Sequence, residues 1–530
     1  MSVKEETTSR SFIVLTAATF LMKIMSLVYV PVLLYVIKAE AHGTYTTAYD
    51  FFAFVYVVTN EGLTKGIARM VSERMARNDI GGAHKVFRIS RNILAATGLF
   101  MAVLFFVLAG ALANVAGAPL SIDAMRVLAP AIAVTSVSSA YRGYFQGRKV
   151  LTVTAVSQIW EQVSNVIISL VLAMALIPMG IRYGVAGAAS GTLVGALVSA
   201  VYLIYHYRKT AKGEPGDRIK DGTERLVAKG LLAYTIPLAL GTAATQFGSI
   251  VDLINVKSRL LVSGLTVAQS NITYSHLSSY KTIIAVPLTV LVALTTSLFP
   301  ALTRAASIGD QAELKRKYLL ALKLNYILTI PSAIGLFSVA KPANIALFDG
   351  DPTRGLLIAM GSYVIIFSGL TLIQTVLLQA QGLTRESLYP LMAGIIVKII
   401  ANYFLVARPD LRGQGAVMGS YLQGIVTVVF NEFLIRRKLG FSVNHAAFMA
   451  RAALGALAMG AVLLVSQQVL PQLTGRLNNG LLILGLVFLG ILIYSVVLIL
   501  LGGISKSELN SIRPGLAVKL PDFLQRLLPD

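Results

Sequence analysis

The chain has 530 residues, of which 56% are hydrophobic and 13% charged, and its mean hydropathy is +0.73. So little polar surface cannot cover a water-soluble body of this length, and the composition points to a multi-pass membrane protein. A formal charge of +22 would suggest nucleic acid in a soluble domain, while the absence of cysteine excludes disulfides, thiolate catalysis and cysteine-bound metal.

Hydrophobic runs of about 20 residues, separated by Gly, Pro and charge clusters, predict fourteen spanning helices. They cover 11–37, 44–66, 92–116, 124–146, 152–178, 183–206, 229–257, 276–302, 319–341, 355–380, 388–407, 414–436, 446–470 and 479–503. The first run is too long for a cleaved leader, so it is expected to stay as helix one. It carries Lys23 about 18 Å from Ser11, close to mid-bilayer. A lysine facing lipid there costs on the order of 2.5 to 3.5 kcal/mol, so Lys23 is expected to face a polar cavity. The plainer alternative is a lysine that snorkels or pairs with a structural carboxylate.

The second run ends in Glu61 and Lys65, one helical turn apart and able to neutralise each other; both are cavity candidates. Along the fifth, Gln158, Glu161, Gln162 and Asn165 form a polar stripe that must face protein or water. Glu161 can compensate a cavity lysine or bond only to neighbouring helices. The seventh contributes Gln246, Asp252 and Asn255, and the eighth carries Lys281 in an otherwise nearly uncharged stretch, making it the second cavity candidate. The eleventh carries Lys398 and Asn402. Buried Asp252 and Lys398 suggest an ion pair, or a cation site whose cation the lysine replaces.

Basic residues crowd the alternate connections near 67–91, 142–149, 208–229 and 304–323. By the positive-inside rule these connections and both termini are expected in the cytoplasm, and a nucleic-acid partner becomes unnecessary. The chain also repeats itself: 184–209 aligns without gaps on 413–438, matching Gly184 with Gly413, Leu193 with Leu422, Gly195 with Gly424, Arg208 with Arg437 and Lys209 with Lys438. Gln146–Gly147 and Gln381–Gly382 echo one another. The expected fold class is therefore an all-α integral membrane protein with two parallel six-helix lobes around a central cavity and two additional C-terminal helices. The expected limits are 1–210 and 229–440 for the lobes, 211–228 for a cytoplasmic linker, 441–505 for the extra helices and 506–530 for a cytoplasmic tail.

The five histidines show no metal-ligand spacing, and no glycine-rich phosphate loop precedes a helix in a soluble segment. No catalytic residue, cofactor or metal is expected, and the chain reads as a non-enzyme.

At AYRGYFQGRKVLTVTAVSQIWEQVSNVI (140–167) the sequence resembles the polysaccharide-transporter branch of the multidrug/oligosaccharidyl-lipid/polysaccharide (MOP) flippase superfamily, particularly its MurJ and SpoVB group. Further likeness lies in GLTKGIARMVSE and TTSLFPALTRAAS. The resemblance implies a monomeric flippase of the bacterial cytoplasmic membrane. Its cargo would be an undecaprenyl-pyrophosphate-linked saccharide, lipid II foremost, carried to the outer leaflet by alternating access. In the family's pattern, cationic residues of helices one, two and eight line the cavity; Lys23 matches the first, and Lys281 lies near the helix-eight position. The extra helices are associated with a groove for the lipid tail. Tyr29 and Asn165 depart from arginines that relatives carry. Two other readings are a cation-coupled multidrug extruder of the same superfamily, which would use cavity carboxylates, and a membrane glycosyltransferase needing an acidic outward cluster from Asp349, Asp351 and Asp410.

Overall fold

The computed structural model describes residues 8–212, 224–469, 476–503 and 506, and all regular structure among them is helical. The helices are α1 (Thr8–Ala76), α2 (Ile80–Val115), α3 (Ile122–Gly147), α4 (Leu151–Leu176), α5 (Ile181–Ala211), α6 (Glu224–Val262) and α7 (Val267–Ser307). They continue with α8 (Gln311–Leu347), α9 (Pro352–Gly361), α10 (Val364–Ala380), α11 (Leu388–Leu405), α12 (Gly413–Leu439), α13 (His445–Val469) and α14 (Arg476–Leu500).

Among the described residues twelve spans are long and apolar enough to cross a membrane, against fourteen expected. Two differences account for the gap. The first two expected segments lie in one assignment, α1, in which two helices meet across a kink at Lys38 (φ 68°, ψ 170°), a positive-φ, non-helical backbone. The seventh expected segment lies in α6, which is not among the twelve. The expected tenth span is present as α9 and α10, interrupted at Ser362 and Tyr363.

The chain divides into two compact units, Met1–Ser275 and His276–Asp530, so the division falls inside α7. The expected linker lies largely outside the described residues, as does nearly all of the expected tail.

In the first unit α6 packs against α1 and α2, and α4 lies closely on α5. That approach depends on glycine: a Cβ at Gly191 would fall 2.1 Å from the Ser169 Oγ and 2.4 Å from the Asn165 carbonyl. An aromatic core gathers Phe87, Tyr141, Tyr144 and Tyr207, with the Phe87 and Tyr207 rings 4.3 Å apart at their centroids. In the second unit α11 lies on α12 in the corresponding way, and a Cβ at Gly419 would fall 1.9 Å from the Asn402 Oδ1. The two helices outside the sequence repeat, α13 and α14, are built into this unit's core. Ala456, Met459, Leu463 and Leu498 pack with Tyr326, Ile330 and Leu377, and the Tyr494 hydroxyl donates to the Ile327 carbonyl at 2.9 Å.

Candidate functional site

The basic residues inside these helices fall into two groups, distinguished by burial. Lys23 on α1, Lys65 farther along α1 and Lys281 on α7 are exposed on the protein, and Lys398 on α11 is half-buried. Three of the buried ones have well-defined side-chain partners. Arg142 sits inside α3, where it donates to the Glu161 carboxylate, to Ser199 Oγ at 2.8 Å and to Ser157 Oγ at 3.2 Å. Lys257 on α6 is completely buried and donates to Asn271 Oδ1 at 2.6 Å and Thr47 Oγ1 at 3.1 Å, with the Tyr274 ring centre 5.7 Å away. Arg354 on α9, also completely buried, reaches Asp349 Oδ2 at 3.0 Å and the Ser279 hydroxyl, and covers the Phe348 ring.

Sequence reasoning missed all three, assigning Arg142 and Arg354 to connections and ending the seventh helix at Lys257. α6 in fact continues to Val262. Each of these cations has hydroxyl, amide or carboxylate partners that offset its desolvation. The available signal was a polar residue nearby in sequence, Ser157 and Glu161 for Arg142, Asp349 and Asp351 for Arg354.

The polar stripe of α4 is present and its members do different things. Glu161 is engaged by Arg142. Asn165 accepts from Ser169 Oγ at 3.0 Å, and Ser169 also donates to the Ala188 carbonyl of α5 at 2.6 Å. Gln162 reaches across to Ser26 Oγ of α1 at 3.5 Å. Ser26 lies nearly one turn beyond Lys23, so the Lys23 face of α1 is the face turned toward the stripe. Gln158 Oε1 is buried, with no hydrogen-bond partner among the described residues. The side chain of Glu61 lies outside the described residues, and its expected pairing with Lys65 with it.

In the second unit, Lys281 and Lys398 line one cavity of about 420 Å³. Its walls come from α7, α10, α11 and α12: Thr371, Thr375, Ser420 and Gln423 supply hydroxyl and amide groups, and Ile284 and Phe367 supply apolar surface. Among the described residues, no aspartate or glutamate lines it. Asn402, one turn beyond Lys398, is buried and pressed against Gly419, which makes it a packing residue of the α11–α12 pair. Asp252 is buried on α6 in the first unit, and Asn255 beside it is half-buried. Among the described residues no group of three His, Asp or Glu side chains could hold a metal ion.

This arrangement suits an anion. Ammonium and hydroxyl groups on one cavity can donate hydrogen bonds to the oxygens of an anion.

Residues 9–306 match the family model described as polysaccharide biosynthesis protein. The chain is 26% identical over 520 residues to the uncharacterized membrane protein YabM of Bacillus subtilis (strain 168), covering 97% of this chain and 96% of that one. It is 20% identical over 457 residues to the lipid II flippase MurJ of the same organism, covering 82% of this chain and 83% of MurJ. In fold it is similar to the inward closed conformation of lipid II flippase MurJ, with a TM-score of 0.70 at 16% identity over 92% of this chain and 98% of that structure.

Proposed function

The chain belongs to the polysaccharide biosynthesis protein family, and from that premise we propose that it is a flippase for an undecaprenyl-pyrophosphate-linked saccharide, with lipid II as the leading cargo. The observation that carries this reading is the cavity shared by Lys281 and Lys398, lined by hydroxyls and, among the described residues, by no carboxylate. A pyrophosphate carries concentrated negative charge and accepts hydrogen bonds at every oxygen, which this lining can supply. Lysines hold it as point charges rather than as rigid forks, so the headgroup is retained without being locked in one orientation. That is useful for a cargo that must leave again.

In the first unit, by itself, Lys23 is an exposed cation on the α1 face turned toward Gln162. The carboxylate best placed to favour a drug cation there, Glu161, is already engaged by Arg142. In this account the protein lies in the bacterial cytoplasmic membrane with both termini inside, and works by alternating access without a cofactor.

The test is transport in proteoliposomes carrying a defined undecaprenyl-pyrophosphate-linked saccharide. Wild type should flip it, and Lys23→Glu should abolish flipping while the protein still inserts and purifies as a folded species. Wild-type flipping by that variant would show that Lys23 plays no part in transport, and no flipping by wild type would remove the cargo.

A further inference from the structure

One wall of the cavity that Lys281 and Lys398 line is a row of hydroxyls on α10. Ser368, Thr371 and Thr375 follow one another at spacings of three and four residues, so they share one face of the helix, and all three line the cavity. A hydroxyl inside a helix ordinarily bonds back to its own backbone, as Ser420 Oγ does to the Ala416 carbonyl at 3.1 Å and Thr427 Oγ1 to the Gln423 carbonyl at 2.8 Å. The α10 hydroxyls do not. Thr375 Oγ1 is buried without a hydrogen-bond partner, and among the described residues the side chains of Ser368 and Thr371 make no hydrogen bond either. The Gln423 amide of α12 lines the same cavity and is also unbonded among the described residues.

We infer that this α10 face is the saccharide subsite of the cavity, where Ser368, Thr371, Thr375 and Gln423 hydrogen-bond the sugar ring that follows the pyrophosphate; the inference rests on the flippase reading and assigns the residues that read the sugar. A pyrophosphate diester accepts hydrogen bonds and donates none. It can take the three hydroxyl protons, but it leaves the hydroxyl lone pairs and Gln423 Oε1 without a donor. A sugar hydroxyl both donates and accepts, so it can complete each of these groups. Reach separates the two ligands as well. Ser368 and Thr375 stand about 10 Å apart along α10, which carries the polar wall beyond the length of one phosphate group. The cavity volume of about 420 Å³ falls in the range of roughly 300 to 1,000 Å³ of sites that enclose a whole small molecule.

The apolar part of the lining is placed to complete such a site. Phe367 stands one turn before Thr371 on the same face of α10, and α12 holds it from behind. A Cβ at Gly424 would fall 2.5 Å from the Phe367 Cβ, and the Tyr421 ring centre lies 6.3 Å from that of Phe367 while the Tyr421 hydroxyl donates to the Met360 carbonyl. A fixed ring beside a row of unbonded hydroxyls offers a pyranose an apolar surface for its C–H face and polar partners for its edge. Enclosing a ligand without hydroxyls would instead seal these groups from water unpaired, which weakens its binding. The wall therefore favours a glycosylated lipid pyrophosphate over the bare one.

The experiment is a binding titration of the purified full-length protein in uncharged detergent with two probes, undecaprenyl pyrophosphate and undecaprenyl pyrophosphate carrying one hexopyranose. Wild type should bind the glycosylated lipid roughly tenfold more tightly than the bare one. Thr371→Val combined with Thr375→Val keeps nearly the same side-chain shape but removes two hydroxyls, and it should erase most of that preference. Thr375→Ser keeps the hydroxyl and should keep the preference. Equal affinity of wild type for the two lipids overturns the subsite and leaves the flippase reading standing, whereas binding of neither overturns both. A preference that survives in the double valine variant, or that is lost in Thr375→Ser, also overturns the subsite. Should the double variant not fold, Gln423→Met removes the amide from a half-buried position on α12 and should lower the same ratio severalfold; an unchanged ratio overturns the inference.

Discussion

Arg142 of α3 and Glu161 of α4 form an ion pair inside the first unit, with 6% of the arginine side chain and 26% of the glutamate side chain exposed. The pair decides how the whole polar stripe is read. With Glu161 committed to Arg142, the carboxylate offers little to a cation, and the remaining stripe presents amides toward the Lys23 face of α1.

The pair should show the asymmetry of buried charge. Arg142→Met leaves Glu161 without its partner and should destabilise the protein by about 3 kcal/mol, whereas Arg142→Met with Glu161→Leu should cost distinctly less. Chemical denaturation of the purified variants in one detergent measures the difference. A double variant as unstable as the single would mean that packing volume, not charge, is at stake.

The close helix pairs should depend on their glycines. At Gly191 a Cβ would meet Ser169 Oγ at 2.1 Å, and at Gly419 it would meet Asn402 Oδ1 at 1.9 Å. Gly191→Ala and Gly419→Ala should each destabilise by about 1 to 3 kcal/mol through forced separation of α4 from α5 and of α11 from α12. Unchanged unfolding midpoints would show that these helices can move apart without loss.

Topology can be read directly because the chain has no native cysteine. Single cysteines at Lys212 and Arg316 should be shielded from a membrane-impermeant reagent applied outside intact cells, while one at Asp351 should be labelled. The reverse pattern would invert the assignment of every connection.

Most of the helical ladder was legible, because a bilayer demands long apolar runs and their periodic breaks survive in one dimension. The mid-helix lysines were legible for the same reason: Lys23 and Lys281 break runs that have no other cause for a charge. What sequence could not reveal was where a charge is paid for by a partner distant in the chain. The sequence reading ends a helix at Lys257, yet Lys257 is buried against Thr47 and Asn271, and only the packing of α6 on α1 brings Thr47 there. Arg142 was taken for a flank because hydropathy treats every arginine as facing water. The bend at Lys38 was invisible for another reason, since a left-handed φ is ordinarily expected at glycine and not at lysine. The meeting of Lys281 with Lys398 in one cavity is tertiary information, set by how α7 and α11 pack with α10 and α12.

The sign of charge in the cavities can be tested most directly by binding, because binding separates cargo chemistry from transport energetics. Purified wild type and the Lys23→Gln, Lys281→Gln double variant would be titrated in parallel with an undecaprenyl-pyrophosphate-linked saccharide and with a cationic dye, at low and high salt. The account predicts that wild type binds the lipid-linked saccharide with affinity that falls as salt rises, that the double variant loses most of that binding, and that neither protein binds the dye appreciably. Dye binding that survives the double replacement, together with no saccharide binding by wild type, would contradict it and favour a drug extruder.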